Sequence, residues 1–344
     1  MRNEPLKFLL SGSFACQCGL YTIALLCALP GYGYGASQAG IASQYVADQG
    51  IGNDPDVIFA ENFETSVSTI LVQFTGYSPS AIAQSTDHPM GSSGTQSIVI
   101  HPFGSGGTLY KLLPGDYDQL YFRYYIKYNG TDYHHSGGYI GGYGPRSAWP
   151  QGDAGLKGIR SDGSRLIHIG FETQGGSNEA DPDTRLDTYM NWVDMAGQEI
   201  AGGWWGRNIL RDFTIPIHPG VWQCIELMVK MNSTPTGHDG ELAIWIDGTL
   251  KAHFRQGSPN GQFNSFSGNW EMNPTGPAFT GFQWRDILTY GVNWVKIQNY
   301  DEVGTPTDLL IDDLVVATKY IGPLRGVGSD TAPPAAPINL HVNP

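Results

Sequence analysis

Residues 119–128 read QLYFRYYIKY, ten residues dominated by aromatic and β-branched side chains and bounded by PGDYD before and NGTD after. Such a run, closed at both ends by glycine, proline, asparagine and aspartate, predicts a strand between turns. The same pattern recurs in SIVIHPF (97–103), RLIHIGFET (165–173), LDTYMNWVDM (186–195), WQCIELMVKMN (222–232), VNWVKIQNY (292–300) and LLIDDLVVATKYI (309–321). In ELAIWIDGTLKAHF (241–254), Asp247-Gly248 predicts a tight hairpin. No segment sustains an amphipathic helical period, and no repeat of propeller or solenoid type is visible. The pattern predicts an all-β fold, an antiparallel sandwich.

Composition agrees. The 344 residues include 46 glycines and 22 prolines, yet 40% are hydrophobic, which fits a folded, turn-rich chain. With 32 Asp+Glu against 19 Lys+Arg the net charge is −13. That excludes nucleic acid as a natural partner, because phosphate binding needs clustered cations. An acidic sugar stays open, since a few local cations outweigh a distant field.

Residues 1–39 predict an export signal: Arg2 and Lys7, an apolar stretch from Phe8 to Leu29, then small residues around GASQAG. Polar interruptions argue against a stable membrane span, so the mature protein is expected outside the cytoplasm, extracellular or periplasmic. Residues 40–55 read as a linker, 56–324 as the sandwich and 325–344 as a proline-rich tail. Cys224 is the one cysteine beyond the signal, in a strand-like run, and is expected to be a small buried residue.

Three stretches in order carry a resemblance: LYFRYYIKY with the following HHSGGYIGGYG, then GVWQCIELMVKMNSTPTGHDGELAIWIDG (220–248), then LLIDDLVVATKYIGP (309–323). The chain resembles the concanavalin A-like lectin/glucanase sandwiches, in particular secreted bacterial proteins similar to polysaccharide lyases. The resemblance covers about residues 56–324. It implies a jelly-roll of two curved antiparallel sheets whose concave face and bordering loops form a carbohydrate groove. Nine Trp, 18 Tyr and 14 Phe supply rings that could stack on sugars.

The stretch DYHHSGGYIGGYG (132–144) lacks the Lys-Ser/Thr of a phosphate loop. Adjacent His134 and His135 are poorly placed for one metal, because neighbours on a strand point to opposite faces. It reads either as a structural turn or as a loop at the groove edge with His135 or Tyr139 facing a ligand. Alternation selects more candidates. In RLIHIGFETQ, His168, Glu172 and Gln174 oppose Ile167, Ile169 and Phe171; Tyr189 pairs with Asn191, and Gln283 with Arg285. β-Elimination from a uronic acid needs a group that neutralises the carboxylate, a base and an acid. Asn191, Gln283 and Arg285 suit the first role; Tyr189, His168 or His135 suit the others. Tyr139, Lys157, Arg160, Glu172 and Gln283 are candidate substrate contacts.

Neither the Glu-x-Asp-x-x-Glu pattern of glucanases nor Gly-x-Ser-x-Gly occurs. If the terminal strands pair, as the resemblance implies, Glu61, Glu64, Asp312 and Asp313 offer oxygen ligands for a structural calcium. No organic cofactor is expected. The leading expectation is a lyase acting on an acidic polysaccharide; the alternatives are a non-catalytic carbohydrate-binding or matrix protein, and a purely structural surface protein.

Overall fold

The computed structural model describes residues 39–102, 107–131, 133–146, 158–174, 185–300 and 307–326. The strands run β1 (Val57–Glu61), β2 (Gly76–Tyr77), β3 (Ile82–Ser85), β4 (Ser97–Ile100), β5 (Gly107–Tyr117) and β6 (Gln119–Tyr128). Next come β7 (Gly137–Tyr143), β8 (Leu166–Gln174), β9 (Arg185–Asn191), β10 (Ile215–Pro216) and β11 (Trp222–Lys230). The last are β12 (Glu241–Ile246), β13 (Thr249–Phe254), β14 (Gly261–Phe263), β15 (Trp270–Met272), β16 (Val292–Asn299) and β17 (Leu309–Ala317).

One sheet has the order β13-β12-β11-β6-β17-β4-β3, with β1 added alongside β17; the other has the order β10-β9-β8-β7-β16-β5-β2. Every strand pair in both sheets is antiparallel. This is the expected all-β sandwich of two antiparallel sheets, and β-alternation explains how it closes. Leu120, Phe122, Tyr124, Ile126 and Tyr128 of β6 face a single core with Ile225, Leu227 and Val229 of β11. Across the core stand Ile167, Ile169 and Phe171 of β8 with Val295 and Ile297 of β16. Each fully buried aliphatic side chain contributes about 2 kcal/mol, so the face buried here fixes the register of every central strand.

The hairpin forms where predicted, with Asp247 and Gly248 at φ 50° and 73°, and the Asp247 carboxylate accepts from Cys224 N at 2.9 Å. Cys224 is buried, and burial pushes its thiol up to about 12, so it is a packing residue. The terminal strands do pair, Glu61 opposite Leu314.

Two expectations fail. Residues 40–55 are not a linker: Ile41, Ala42 and Ile51 pack against Val315, Ala317 and Ile321 on the outer side of the first sheet. Ile41 N and Ala42 N donate to Tyr320 O and Ile321 O at 3.0 and 2.9 Å, which ties this segment to the strand exit. The glycine-rich stretch is not a loop but the central strand β7. Residues 1–38 and 327–344, holding all but the last residue of the predicted signal and most of the predicted tail, lie outside the described residues.

Candidate functional site

The outer face of the second sheet carries three rows, set by register. The first is Asn191, His168, Gly141, Trp294 and Leu112; the second Tyr189, Gly170, Tyr139, Lys296 and Tyr110; the third Asp187, Glu172, Gly137, Gln298 and Thr108. The glycines make room for the rings beside them. A Cβ on Gly141 would sit 2.4 Å from the Trp294 indole, and one on Gly170 would sit 2.6 Å from the Tyr139 ring. Glycine, costly in most strands, is here what lets the aromatics lie across the sheet.

Glu172 is the hub. Fully buried, it pairs with His135 Nδ1 and the Tyr139 hydroxyl, and it accepts from Gln174 Nε2. His135 is held at φ 52°, outside the usual region for a histidine, with its ring edge-on to Tyr189 at 4.9 Å. Lys296 stands over the Tyr139 ring at 3.9 Å and donates to Gln298 Oε1 at 2.6 Å. Burial lowers the Lys296 ammonium to about 7, with the Glu172 charge opposing the shift.

His168 lies at the centre, with ring centroids 5.3 Å from Tyr139, 5.8 Å from Trp294 and 6.3 Å from Tyr189. Burial first, then the charges of Lys296 and His135, push it well below its ordinary value, so it is neutral. Among the described residues neither of its nitrogens has a hydrogen-bond partner, nor do Trp294 Nε1 and Asn191 Oδ1 in the same row. Leaving a buried polar atom unpaired costs about 1–3 kcal/mol, and native proteins rarely tolerate it. Four such atoms in one row mark a place built to meet something polar. Burial raises the Tyr189 hydroxyl, Glu172 adds to the shift and the Gly206 backbone opposes it, so Tyr189 keeps its proton at neutral pH. Tyr189 and His135 are half-buried, while Asn191, Glu172 and Lys296 are almost fully covered.

The structure therefore brings together His135, Tyr139, His168, Glu172, Tyr189 and Asn191. Glu172 and Tyr139 are not free to contact substrate as expected, because each is committed to the other. The Asn191 amide donates to Trp204 O at 3.3 Å. Arg160 is exposed at the edge of the sheet, with its guanidinium 4.7 Å over Trp204. Lys157 lies outside the described residues.

Gln283 and Arg285 do not join the site. Their segment is no strand, so alternation there selects no sheet face. Gln283 Nε2 donates to Pro235 O at 2.6 Å. Arg285 clamps Tyr290 O, Asn232 O and the Asp118 carboxylate.

Lys296, Trp294 and Asp187 went unselected, although alternation in VNWVKIQNY and LDTYMNWVDM places them on this face. Asp187 stands directly opposite Glu172 on the neighbouring strand, and both are fully buried.

Two of the four expected calcium ligands already accept hydrogen bonds from the protein. Glu61 accepts from Phe63 N at 2.8 Å and from Gln73, and Glu64 from Thr95 N and Gln96 N at 2.9 and 2.8 Å. Among the described residues no three His, Cys, Asp or Glu side chains are arranged as a ready ligand set. Asp312 and Asp313 stand side by side, with Asp313 at φ 43° and, among the described residues, no hydrogen-bond partner for Oδ2 of either. Burial first, then Asp313 and Glu64, push the Asp312 carboxyl up to about 9.

No family model matches the chain, and no curated protein does. Among solved structures it is similar to the alginate lyase Aly36B, at 12% identity over 78% of this chain and 97% of that one, TM-score 0.47. It is similar to the alginate lyase vAL-1 from Chlorella virus, at 11% identity over 75% and 100%, TM-score 0.48. The cellulose induced protein Cip1 gives 14% identity over 77% and 99%, TM-score 0.40. At such identities no residue's role passes from them to this chain. The chain is a sandwich of two antiparallel β-sheets whose second sheet gathers on its outer face a neutral imidazole, a lysine and a protonated tyrosine.

Proposed function

We propose that this chain is an exported polysaccharide-active protein that cleaves an acidic, uronate-containing polymer by β-elimination. One observation carries the reading: the neutral, unpaired His168 imidazole flanked by the Lys296 ammonium, the Asn191 amide and the Tyr189 hydroxyl.

A uronate carboxylate held by Lys296 loses the effect of its charge, which acidifies the proton at C5, while the unpaired Asn191 Oδ1 is left to accept from a sugar hydroxyl. His168 accepts that proton. The C5–H electron pair becomes the C4=C5 double bond, the C4–O bond breaks, and Tyr189 protonates the departing oxygen. Return of the proton from imidazolium to tyrosinate resets the pair. Glu172 acts as a positioning residue that holds His135 and Tyr139 and supports the charge on Lys296. Mass spectrometry of the products tests the reaction class. Elimination leaves unsaturated ends one water lighter than hydrolysis products, and saturated ends would overturn the mechanism.

The near-complete burial of His168, Asn191, Glu172 and Lys296 favours a second reading, a non-catalytic carbohydrate-binding or matrix protein that uses only the half-buried edge at His135 and Tyr189. Binding of polymer without any change in chain length would select it.

Calcium belongs to this proposal as a structural ion only. Asp312 and Asp313 present unpaired hard oxygens, with Glu64 within electrostatic reach, although Glu61 is occupied elsewhere.

A further inference from the structure

We propose that Trp205 and Arg160 form a saccharide subsite beside the Asn191 row, taking a uronate unit of the polymer outside the point of cleavage. The inference rests on the reading above that the chain handles a uronate polymer.

Trp205 keeps 40% of its surface exposed. Its indole is seated on Gly158 and Gly203: a Cβ on either would come within 3.3 and 3.2 Å of the ring. Trp204 N donates to Gly158 O at 2.6 Å, which locks the two segments together. The platform continues into the site face. The next residue, Gly206, backs directly onto the Tyr189 ring, where a Cβ would sit 2.5 Å away, and Trp204 O receives the Asn191 amide.

The charge beside the platform is unusual for this chain. Arg160 and Arg207 both stand over Trp204, at 4.7 and 5.5 Å. Arg207 is buried and uses its N–H groups on Trp205 O, Ala196 O and Gln198 O. Arg160 is exposed and gives one N–H to Met195 O at 3.2 Å. Among the described residues neither forms a salt bridge. Two arginines without a carboxylate, in a chain of net charge −13, make a local cationic spot. A uronate ring matches both features, because its C–H face suits the indole and its carboxylate suits a planar guanidinium fork. A neutral sugar would use only the first.

Affinity electrophoresis of the full chain through gels containing alginate, glucuronan or a neutral β-glucan tests this, alongside turnover of the same polymers. Trp205→Ala and Arg160→Ala are each expected to weaken binding to the uronate polymers by about tenfold, the loss of one rim anchor. Trp205→Phe should keep most of the affinity, and Arg160→Ala should leave β-glucan mobility unchanged. If the parent binds and cleaves a uronate polymer while both alanine variants bind it equally well, the subsite is wrong and the proposed function stands. If the parent neither binds nor cleaves any uronate polymer, the functional reading falls and the subsite with it.

Discussion

Lys296→Met isolates one ionisation on the site face. Methionine keeps the length of the side chain but removes its charge, the contact over Tyr139 and the bond to Gln298. In the folded protein burial brings Lys296 to about 7, against 10.5 for an unburied lysine. Below pH 7 both folded and unfolded chains carry the proton, and the folded state bears the full cost of burying it. Between pH 7 and 10.5 only the unfolded chain stays protonated, so the parent gains stability as pH rises, by about 1.4 kcal/mol per pH unit where the difference is complete. With half the lysine already neutral at pH 7, the gain from pH 7 to pH 9 is about 2 kcal/mol. The methionine variant lacks this gain, while every other titrating group is shared. Urea unfolding followed by tryptophan fluorescence, for both proteins across this range, measures the difference directly. The parent should be the less stable of the two near neutrality and should close the gap as pH rises. Parallel curves would show that Lys296 keeps its ordinary proton affinity and would refute the description of its surroundings. If the lysine neutralises a substrate carboxylate, turnover should fall along the same limb.

His168→Ala and Tyr189→Phe should each lower kcat on a uronate polymer by about a hundredfold or more with the unfolding midpoint kept, as loss of a base or acid requires; full activity in both would remove them from the chemistry. Arg285→Ala should destabilise the fold by about 3 kcal/mol, because it strips partners from buried carbonyls. A loss below the error of chemical denaturation would contradict the clamp. Calcium should raise Tm through Asp312 and Asp313, and chelator should lower it. An unchanged midpoint leaves the pair relieved by protonation alone, and Asp312→Asn should then be the more stable form at neutral pH.

What alternation alone decides was legible in the sequence. Ile167, Ile169 and Phe171 against His168 and Glu172 is the pattern of a pleated strand with one face turned to the apolar core, and Tyr189 with Asn191 follows the same rule. Lys296 shows the same alternation, but its importance depends on β16 lying between β7 and β5, a pairing between segments distant in the chain. The glycines of β7 misled for a related reason: the Trp294 and Tyr124 rings that need the space beside Gly141 and Gly138 belong to other strands. Gln283 and Arg285 were misjudged because alternation has meaning only on a strand, and Trp284 between them is held by the core without one. Residues 40–55 carry too few apolar side chains to show a period, yet Ile41 and Ile51 suffice to bind them down.

The central claim is elimination at the His168 row, and ultraviolet absorbance tests it most directly. The full chain is incubated with alginate, glucuronan, polygalacturonate and glycosaminoglycans, and the conjugated C4=C5 double bond of the new chain ends is followed. The account predicts rising absorbance with at least one of these polymers, abolished by His168→Ala. A flat trace with every polymer, from a folded protein that binds one of them, would contradict it.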